Sequence, residues 1–228
     1  PKALVHSSLQ ADDISWLNQI PKPDVHISAG SLPRFFRNLI QDFPDHSGYL
    51  IADTDNVKEW RHRYNAPGQK RNIGISWKGG HVSQAKRRSS SIEDWGNLLE
   101  LPDINFINLQ YGDIKADLEK AYDLFGVKIH HWEDSDPLQN LDHFAAQIAA
   151  LDLIISVDNS TVHLAGALGQ QTWVLQPFCP DWRWMEQSET SHWYPSVRQF
   201  HPESPGNWKA VIENASKELQ APTITGVI

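Results

Sequence analysis

The sequence predicts an α/β fold, a Rossmann-like parallel sheet flanked by helices, with a short and incomplete N-terminal part. Three observations carry this expectation. From residue 71 onward, short apolar runs rich in β-branched residues alternate with longer stretches of helical periodicity, the pattern of right-handed βαβ units. Polar and glycine residues gather where those apolar runs end. Residues 1–65 instead break into short pieces punctuated by proline.

Taken in order, "NIGISW" (72–77) reads as the first strand and "SIEDWGNLLEL" (91–101) as a helix, with Ser91 as N-cap and Asp94 in the capping-box position. "INFINLQ" (104–110) is the second strand, "DIKADLEKAYDLF" (113–125) a helix and "VKIHHW" (127–132) a third strand. An amphipathic helix, "LDHFAAQIAAL" (141–151), leads into the strand "LDLIISV" (151–157). The helix 159–168 is closed by Gly169, the fifth strand is "QTWVLQP" (171–177), and "NWKAVIENASKELQ" (207–220) is the closing helix. Before residue 65, "DISWLNQI", "SLPRFFRNLI" and "NVKEWRHRY" read as short helices, and "PKPDVHIS" and "GYLIA" as extended pieces. "NAPGQKR" (65–71) reads as a linker, giving a partial region 1–65 and a Rossmann-like domain 66–228.

The net charge of −8 argues against a broad surface for nucleic acid or anionic membrane, while leaving room for a small basic pocket. One cysteine, Cys179, rules out an intramolecular disulfide and fits a reducing, cytoplasmic compartment. No apolar run approaches the roughly 20 residues needed to span a bilayer, and no signal peptide opens the chain. The glycosylation-type triplets at Asn159 and Asn214 then carry no weight. Ten tryptophans are unusual, because a buried indole N–H needs a partner.

In an open parallel sheet, ligands bind outside the carboxyl ends of the strands. There the chain places Trp77-Lys78-Gly79-Gly80, Gln110-Tyr111-Gly112-Asp113, His131-Trp132-Glu133, Asp158-Asn159-Ser160-Thr161 and Gln176-Pro177. Asn159, Ser160 and Thr161 open a helix, where free N–H groups and the positive end of the dipole favour an anion. His163 lies one turn in, where protonation would add charge; packed in the core it would be structural instead. Lys78 has the reach and charge for a diphosphate, and Arg87 and Arg88 could close over it.

Several patterns are set aside. Asp53-Thr54-Asp55 and Asp134-Ser135-Asp136 spell a metal-binding D-x-D, but both lie in turn-like segments. His130 and His131 project to opposite faces of a strand and cannot share a metal. Neither G-x-G-x-x-G nor a P-loop follows a strand.

The segment "LIISVDNSTVHLAGALGQQTWVLQPFCPDWRWM" resembles the signature of bacterial heptosyltransferase-type glycosyltransferases, in the branch fused behind tetratricopeptide repeats. "GISWKGG", "RRSSSIEDW", "NLQYGD" and "SLPRFFRNLI" followed by "WRHRY" match that branch in order, so the likeness covers residues 30–218. The resemblance implies a GT-B architecture, two Rossmann-like domains facing across a cleft, with the nucleotide-sugar donor held by the C-terminal one. By that likeness Lys78 meets the donor phosphates and Gln110 lines the nucleotide side, while Arg88 joins the donor-binding set from its place in the basic loop. Asp158, Asn159, Ser160 and His163 form the diphosphate and sugar cradle, Lys78 and His163 stabilising the leaving group, with Thr161 a donor-binding candidate from its place at the helix start. It also implies inverting, metal-independent transfer to a protein or saccharide hydroxyl, with no cofactor beyond the nucleotide-sugar substrate, and tetratricopeptide repeats in cis or in a partner.

The branch's N-terminal domain carries a glycine-rich turn and supplies the catalytic base. Residues 1–65 have neither that turn nor room for a full Rossmann domain, so an excerpt or a reduced member is expected, with the base unassigned. The competing expectation is a non-catalytic module, with "PDWRWMEQSETSHWYP" as a protein-binding face.

Overall fold

A computed structural model describes residues 15–22, 24–79, 87–134, 139–186 and 188–221. The chain forms two compact units, Pro1–Pro44 and Asp45–Ile228. The described part of the first holds only short turns: 3₁₀ turns at Ser15–Gln19, Ala29–Ser31 and Ile40–Asp42, and the single-turn helix α1 (Pro33–Phe36). Pro33 opens α1 where its missing N–H costs nothing.

The second unit is a three-layer α/β/α structure. Its parallel strands are β1 (Arg71–Ser76), β2 (Ile104–Asn108), β3 (Leu153–Val157), β4 (Thr172–Leu175) and β5 (Val197–Phe200), in the order β2-β1-β3-β4-β5. Every residue of β3 is buried, as a strand covered on both faces requires. One face packs Ile73, Ile75, Phe106 and Ile155 against Trp95, Leu98, Val211 and Ile212. These come from the turn Ile92–Trp95 and from helices α3 (Gly96–Leu99) and α7 (Trp208–Gln220). The other face packs Ile107, Leu109 and Ile154 against Trp60, Tyr64, Phe144, Ile148 and Ala165. These belong to α2 (Thr54–Asn65), α5 (Leu141–Ala149) and α6 (Ser160–Ala167), while α4 (Lys115–Phe125) follows β2.

Two strands differ from the sequence expectation. The segment 127–132 makes a single parallel bridge, Ile107 to His130. Trp132 is instead held between Trp60 and Tyr64, with ring centroids 5.9 and 5.4 Å away. Counting that bridge, the order becomes the 3-2-1-4-5-6 of doubly wound nucleotide-binding folds. The actual fifth strand, β5, is absent from the sequence reading: it is only four residues long, and among the described residues no α-helix separates it from β4, only a 3₁₀ turn at Trp182–Trp184.

Two helices also differ. The segment 91–101 keeps its Ser91/Asp94 capping box but splits into a 3₁₀ turn and α3 at Gly96, where a Cβ would lie 2.6 Å from the Phe125 ring. Helix α2, read within 1–65, packs in the sheet unit through Trp60 and Tyr64. Gly169 does close α6: its φ of 72° suits glycine, and an added Cβ would meet the Ser47 carbonyl.

Candidate functional site

The chain runs from β1 outward to β2, then returns to place β3 on the other side of β1. The crevice between the β1 and β3 carboxyl ends is therefore the topological switch point, where ligands of doubly wound folds bind. A cavity of about 570 Å³ opens there. Its wall includes Arg87, Arg88, Tyr111, Asp158, Ser160, His163 and Arg183.

The crevice is built on a buried polar knot. Gln110, 4% exposed, accepts through Oε1 from the Ser76 hydroxyl at 2.9 Å and from the backbone N–H groups of Trp77 and Lys78 at 3.0 and 2.8 Å. Asn159 donates through Nδ2 to Ser76 Oγ at 2.8 Å and to the Lys78 carbonyl at 3.2 Å. Its Oδ1 accepts from the Thr161 N–H at 3.0 Å, capping α6, and from the Ser156 hydroxyl at 3.2 Å. The knot ties the ends of β1, β2 and β3 to the start of α6, fixing the direction of that helix's free N–H groups.

Above the knot sits Asp158, only 1% exposed. Its Oδ1 accepts from the indole N–H of buried Trp184 at 2.9 Å, and His163 Nε2 lies 3.8 Å from the same oxygen. Arg88 Nη1 is 3.3 Å from Oδ2, an ion-pair distance without hydrogen-bond alignment, so Oδ2 has no hydrogen bond among the described residues. Arg88 and Arg183 both also meet Asp181 Oδ2 at 3.3 Å. Three arginines against two carboxylates leave the cavity net cationic, although the chain as a whole is acidic.

His163 stacks on Trp184 with ring centroids 5.2 Å apart, and its Nδ1 lies 3.3 Å from the Tyr194 hydroxyl. Burial pushes its pKa below the usual histidine value; Asp158 opposes the shift, and Arg183 and Arg88 add to it. The lowered pKa favours the neutral imidazole over the protonated ring in the free protein. With the carboxylate of Asp158 facing Nε2, the proton belongs on Nε2, and Tyr194 donates to Nδ1.

Of the residues singled out from the sequence, Arg87, Arg88, Asp158, Asn159, Ser160 and His163 meet at the cavity. Lys78, Gln110 and Thr161 lie outside its wall. The Lys78 ammonium pairs with Asp117 of α4, which also accepts from the Trp77 indole N–H at 3.0 Å. Gln110 is consumed by the knot, so it is a buried brace in this structure rather than a lining group. Thr161 is fully buried, and its hydroxyl has no hydrogen-bond partner among the described residues.

The sequence places Tyr111 at the ligand-binding edge without a role of its own, and Arg183, Trp184 and Tyr194 only within the candidate interaction face. Arg183 sits between two tryptophans in a 3₁₀ turn, where neighbouring side chains diverge by about a third of a turn. Trp184, expected as part of an interaction face, is instead buried beneath His163.

The D-x-D patterns have structural roles where they can be followed. Asp53 caps α2 by accepting from the Asp55 and Asn56 N–H groups, and Asp55 pairs with Lys58. Asp134 pairs with Arg63 at 2.7 Å, while residues 135 and 136 lie outside the described residues. Among the described residues, no group of three or more His, Cys, Asp or Glu could hold a metal, and no helix is long and apolar enough to cross a membrane.

No family model matches the chain. The protein FlbA of Caulobacter vibrioides is 31% identical over 198 residues, covering 86% of this chain and 33% of FlbA, so the chain spans about a third of that relative's length. Among solved structures, the ADP-heptose lipopolysaccharide heptosyltransferase II of Escherichia coli matches with a TM-score of 0.54 at 15% identity, over 82% of this chain and 57% of that one. A glycosyltransferase of family 9 from Veillonella parvula matches with a TM-score of 0.51 at 12% identity, over 75% and 53%. What the solved structures hold in common with this chain is the fold: a Rossmann-like α/β domain of the kind found in GT-B glycosyltransferases.

Proposed function

We propose that the chain is the donor-binding part of a GT-B glycosyltransferase, which transfers a sugar from a nucleotide-sugar to a protein or saccharide hydroxyl. The observation that carries this reading is the arginine-lined cavity at the β1/β3 switch point, roofed by the start of α6 in an otherwise acidic protein. Free N–H groups of α6 and the Ser160 hydroxyl are donors for a diphosphate, and Arg88, Arg87 and Arg183 supply charge. When the glycosidic bond breaks, negative charge builds on the leaving diphosphate, and donors already held in place stabilise it without reorganisation.

In this reading Asp158 orients Arg88 and His163, and His163 offers its Nε2–H. Lys78 is a second-line cation: it must leave Asp117 to reach a phosphate, so binding and release of that ion pair are linked. Transfer is inverting and metal-independent, the cationic side chains doing what a divalent ion would do. The base that deprotonates the acceptor lies outside the assignments made for this chain. Tetratricopeptide repeats, in cis or in a partner, would present the acceptor in the cytoplasm.

A non-catalytic nucleotide-sugar-binding or interaction module is the second reading, and it draws on the described part of residues 15–44, which holds only single helical turns. A thermal-shift panel of UDP-, GDP- and ADP-sugars tests donor binding, since ligand at 100 times its Kd stabilises by about 2.7 kcal/mol. No shift with any of them contradicts donor binding and leaves the interaction module. Binding without any donor turnover in the presence of acceptor extracts selects the second.

A further inference from the structure

The two ring nitrogens of His163 have different neighbours. Nε2 faces Asp158 at the arginine cavity, while Nδ1 lies 3.3 Å from the Tyr194 hydroxyl. A neutral ring with its proton on Nε2 needs a donor at Nδ1. A protonated ring carries N–H at Nδ1 and needs an acceptor there. One hydroxyl can serve as either, provided that its own proton has a second acceptor.

The fold fixes that hydroxyl through a close approach to α6. Gly166 lies within the helix, where glycine weakens helical structure. A Cβ on it would sit 2.4 Å from the Tyr194 ring, so glycine is what lets the tyrosine lie directly on α6. The segment 46–50 crosses the last turn of the same helix, the N–H groups of Tyr49 and Leu50 donating to the Ala167 carbonyl at 2.7 and 2.9 Å. His46 ties this strap to the chain beside Tyr194. It donates from Nε2 to the Trp193 carbonyl at 3.1 Å and accepts at Nδ1 from the Gly48 N–H at 3.1 Å.

The strap sets the Tyr49 hydroxyl against that of Tyr194. Burial pushes the Tyr194 pKa up, the adjoining Tyr49 hydroxyl adds to the rise as a hydrogen-bond partner, and Arg183 opposes it. Both phenols thus stay neutral. Tyr49 is 62% exposed, so the two hydroxyls lead from the back of His163 to solvent. On the cavity side the charges that act on His163 are Asp158, Asp181, Arg88 and Arg183. On the strap the titratable neighbour is His46, edge-on to Tyr49 with ring centroids 5.6 Å apart.

We propose that the hydroxyls of Tyr194 and Tyr49 form a proton relay behind His163, with Tyr194 the positioning residue that serves both charge states of the ring. In the neutral state Tyr49 donates to Tyr194, and Tyr194 donates to Nδ1. On charging, solvent gives a proton to the Tyr49 oxygen while Tyr49 passes its own to Tyr194 and Tyr194 passes its own to Nδ1. One proton enters and neither phenol keeps a charge. Nδ1–H then donates to Tyr194, and Tyr194 to Tyr49. An anion in the cavity favours the charged ring, and the relay delivers the proton from the side that the anion does not cover. The use of that proton in sugar transfer rests on the donor-site reading above, but the relay does not.

The test uses the whole chain with Tyr194→Phe and Tyr49→Phe, each of which removes one oxygen and leaves the ring packing, so both should fold. Histidine labelled with ¹⁵N is titrated by NMR in the free protein, the His163 signals being those missing from His163→Gln. The relay predicts a His163 midpoint below that of the wild type in both variants. Without the Tyr194 hydroxyl the charged ring's Nδ1–H loses its acceptor, and without that of Tyr49 the Tyr194 proton loses its own. Neutral His163 should also become a mixture of tautomers in Tyr194→Phe. Calorimetry with inorganic pyrophosphate then reads the cavity. At pH 6, Tyr194→Phe should weaken binding about tenfold and Tyr49→Phe about threefold, with smaller losses at pH 8. In a His163→Gln background neither change should alter the pH dependence. A tyrosine that only packs would leave the midpoint where it is, so midpoints equal to wild type in both variants overturn the proposal. A lowered midpoint in Tyr194→Phe alone does so too, because the outer hydroxyl then has no part. Lowered midpoints in both variants of a chain that binds neither pyrophosphate nor any nucleotide would refute the donor-site reading and leave the relay standing.

Discussion

His163 shows how a single side chain can report on the site. In the free protein, burial and the two nearby arginines hold its pKa below the ordinary histidine value of about 6.5. The folded chain thus binds fewer protons than the unfolded chain just below that pH. The resulting stability is present above about pH 6.5 and is lost as pH falls toward the lowered folded value. A bound diphosphate adds negative charge beside the ring and raises its pKa again. Nucleotide binding should then take up a proton, and affinity should rise as pH falls from 7.5 to 6. Titration calorimetry in buffers of different ionisation enthalpy measures that uptake, and His163→Gln should abolish it. Proton release on binding, or an unchanged uptake in His163→Gln, would place the ligand away from this ring.

Among the elements, the start of α6 depends most on its neighbours. Asn159 both caps it and satisfies groups on β1 and β3. Asn159→Ala should therefore cost about 2–4 kcal/mol, combining a lost cap with orphaned buried partners, as read by urea unfolding. The 181–185 turn offers the opposite case. Met185→Gly should be more stable than Met185→Ala by about 1 kcal/mol, because both lose the side chain but only glycine relaxes the backbone, which Met185 holds at φ 61°. If alanine matches glycine in thermal unfolding, Met185 is not strained.

The same elements show what could be read from sequence. Strands β1 to β4 and helices α4 to α7 were legible because burial on both faces of a parallel sheet leaves unbroken apolar runs between helical periods. β5 was not, because "VRQF" is only four residues long with two polar residues in its middle, and no helix announces it among the described residues. At the site, the chain-local signals at Asp158, Asn159, Ser160 and His163 were legible. The partners of Lys78 and Gln110 were not: Asp117 is 39 residues from Lys78, and Gln110 is 34 from Ser76. Such pairings are set by strand order, which local pattern does not encode.

For the molecule as a whole, the account rests on an acidic protein concentrating positive charge at one sheet edge. The surface overall repels anions, so an anion that binds must be held by the arginine cavity and by the start of α6. The most direct measurement is titration calorimetry of UDP-, GDP- and ADP-sugars against the wild-type chain and Arg183→Ala, each with and without EDTA. Arg183 is partly exposed, so its loss should leave the fold intact. The account predicts that at least one nucleotide-sugar binds the wild type. Arg183→Ala should weaken that binding about ten- to a hundredfold, the cost of one charge-assisted contact, with no effect of EDTA on either protein. Equal affinity in the variant, strict dependence on a divalent ion, or no binding of any of the three would contradict it.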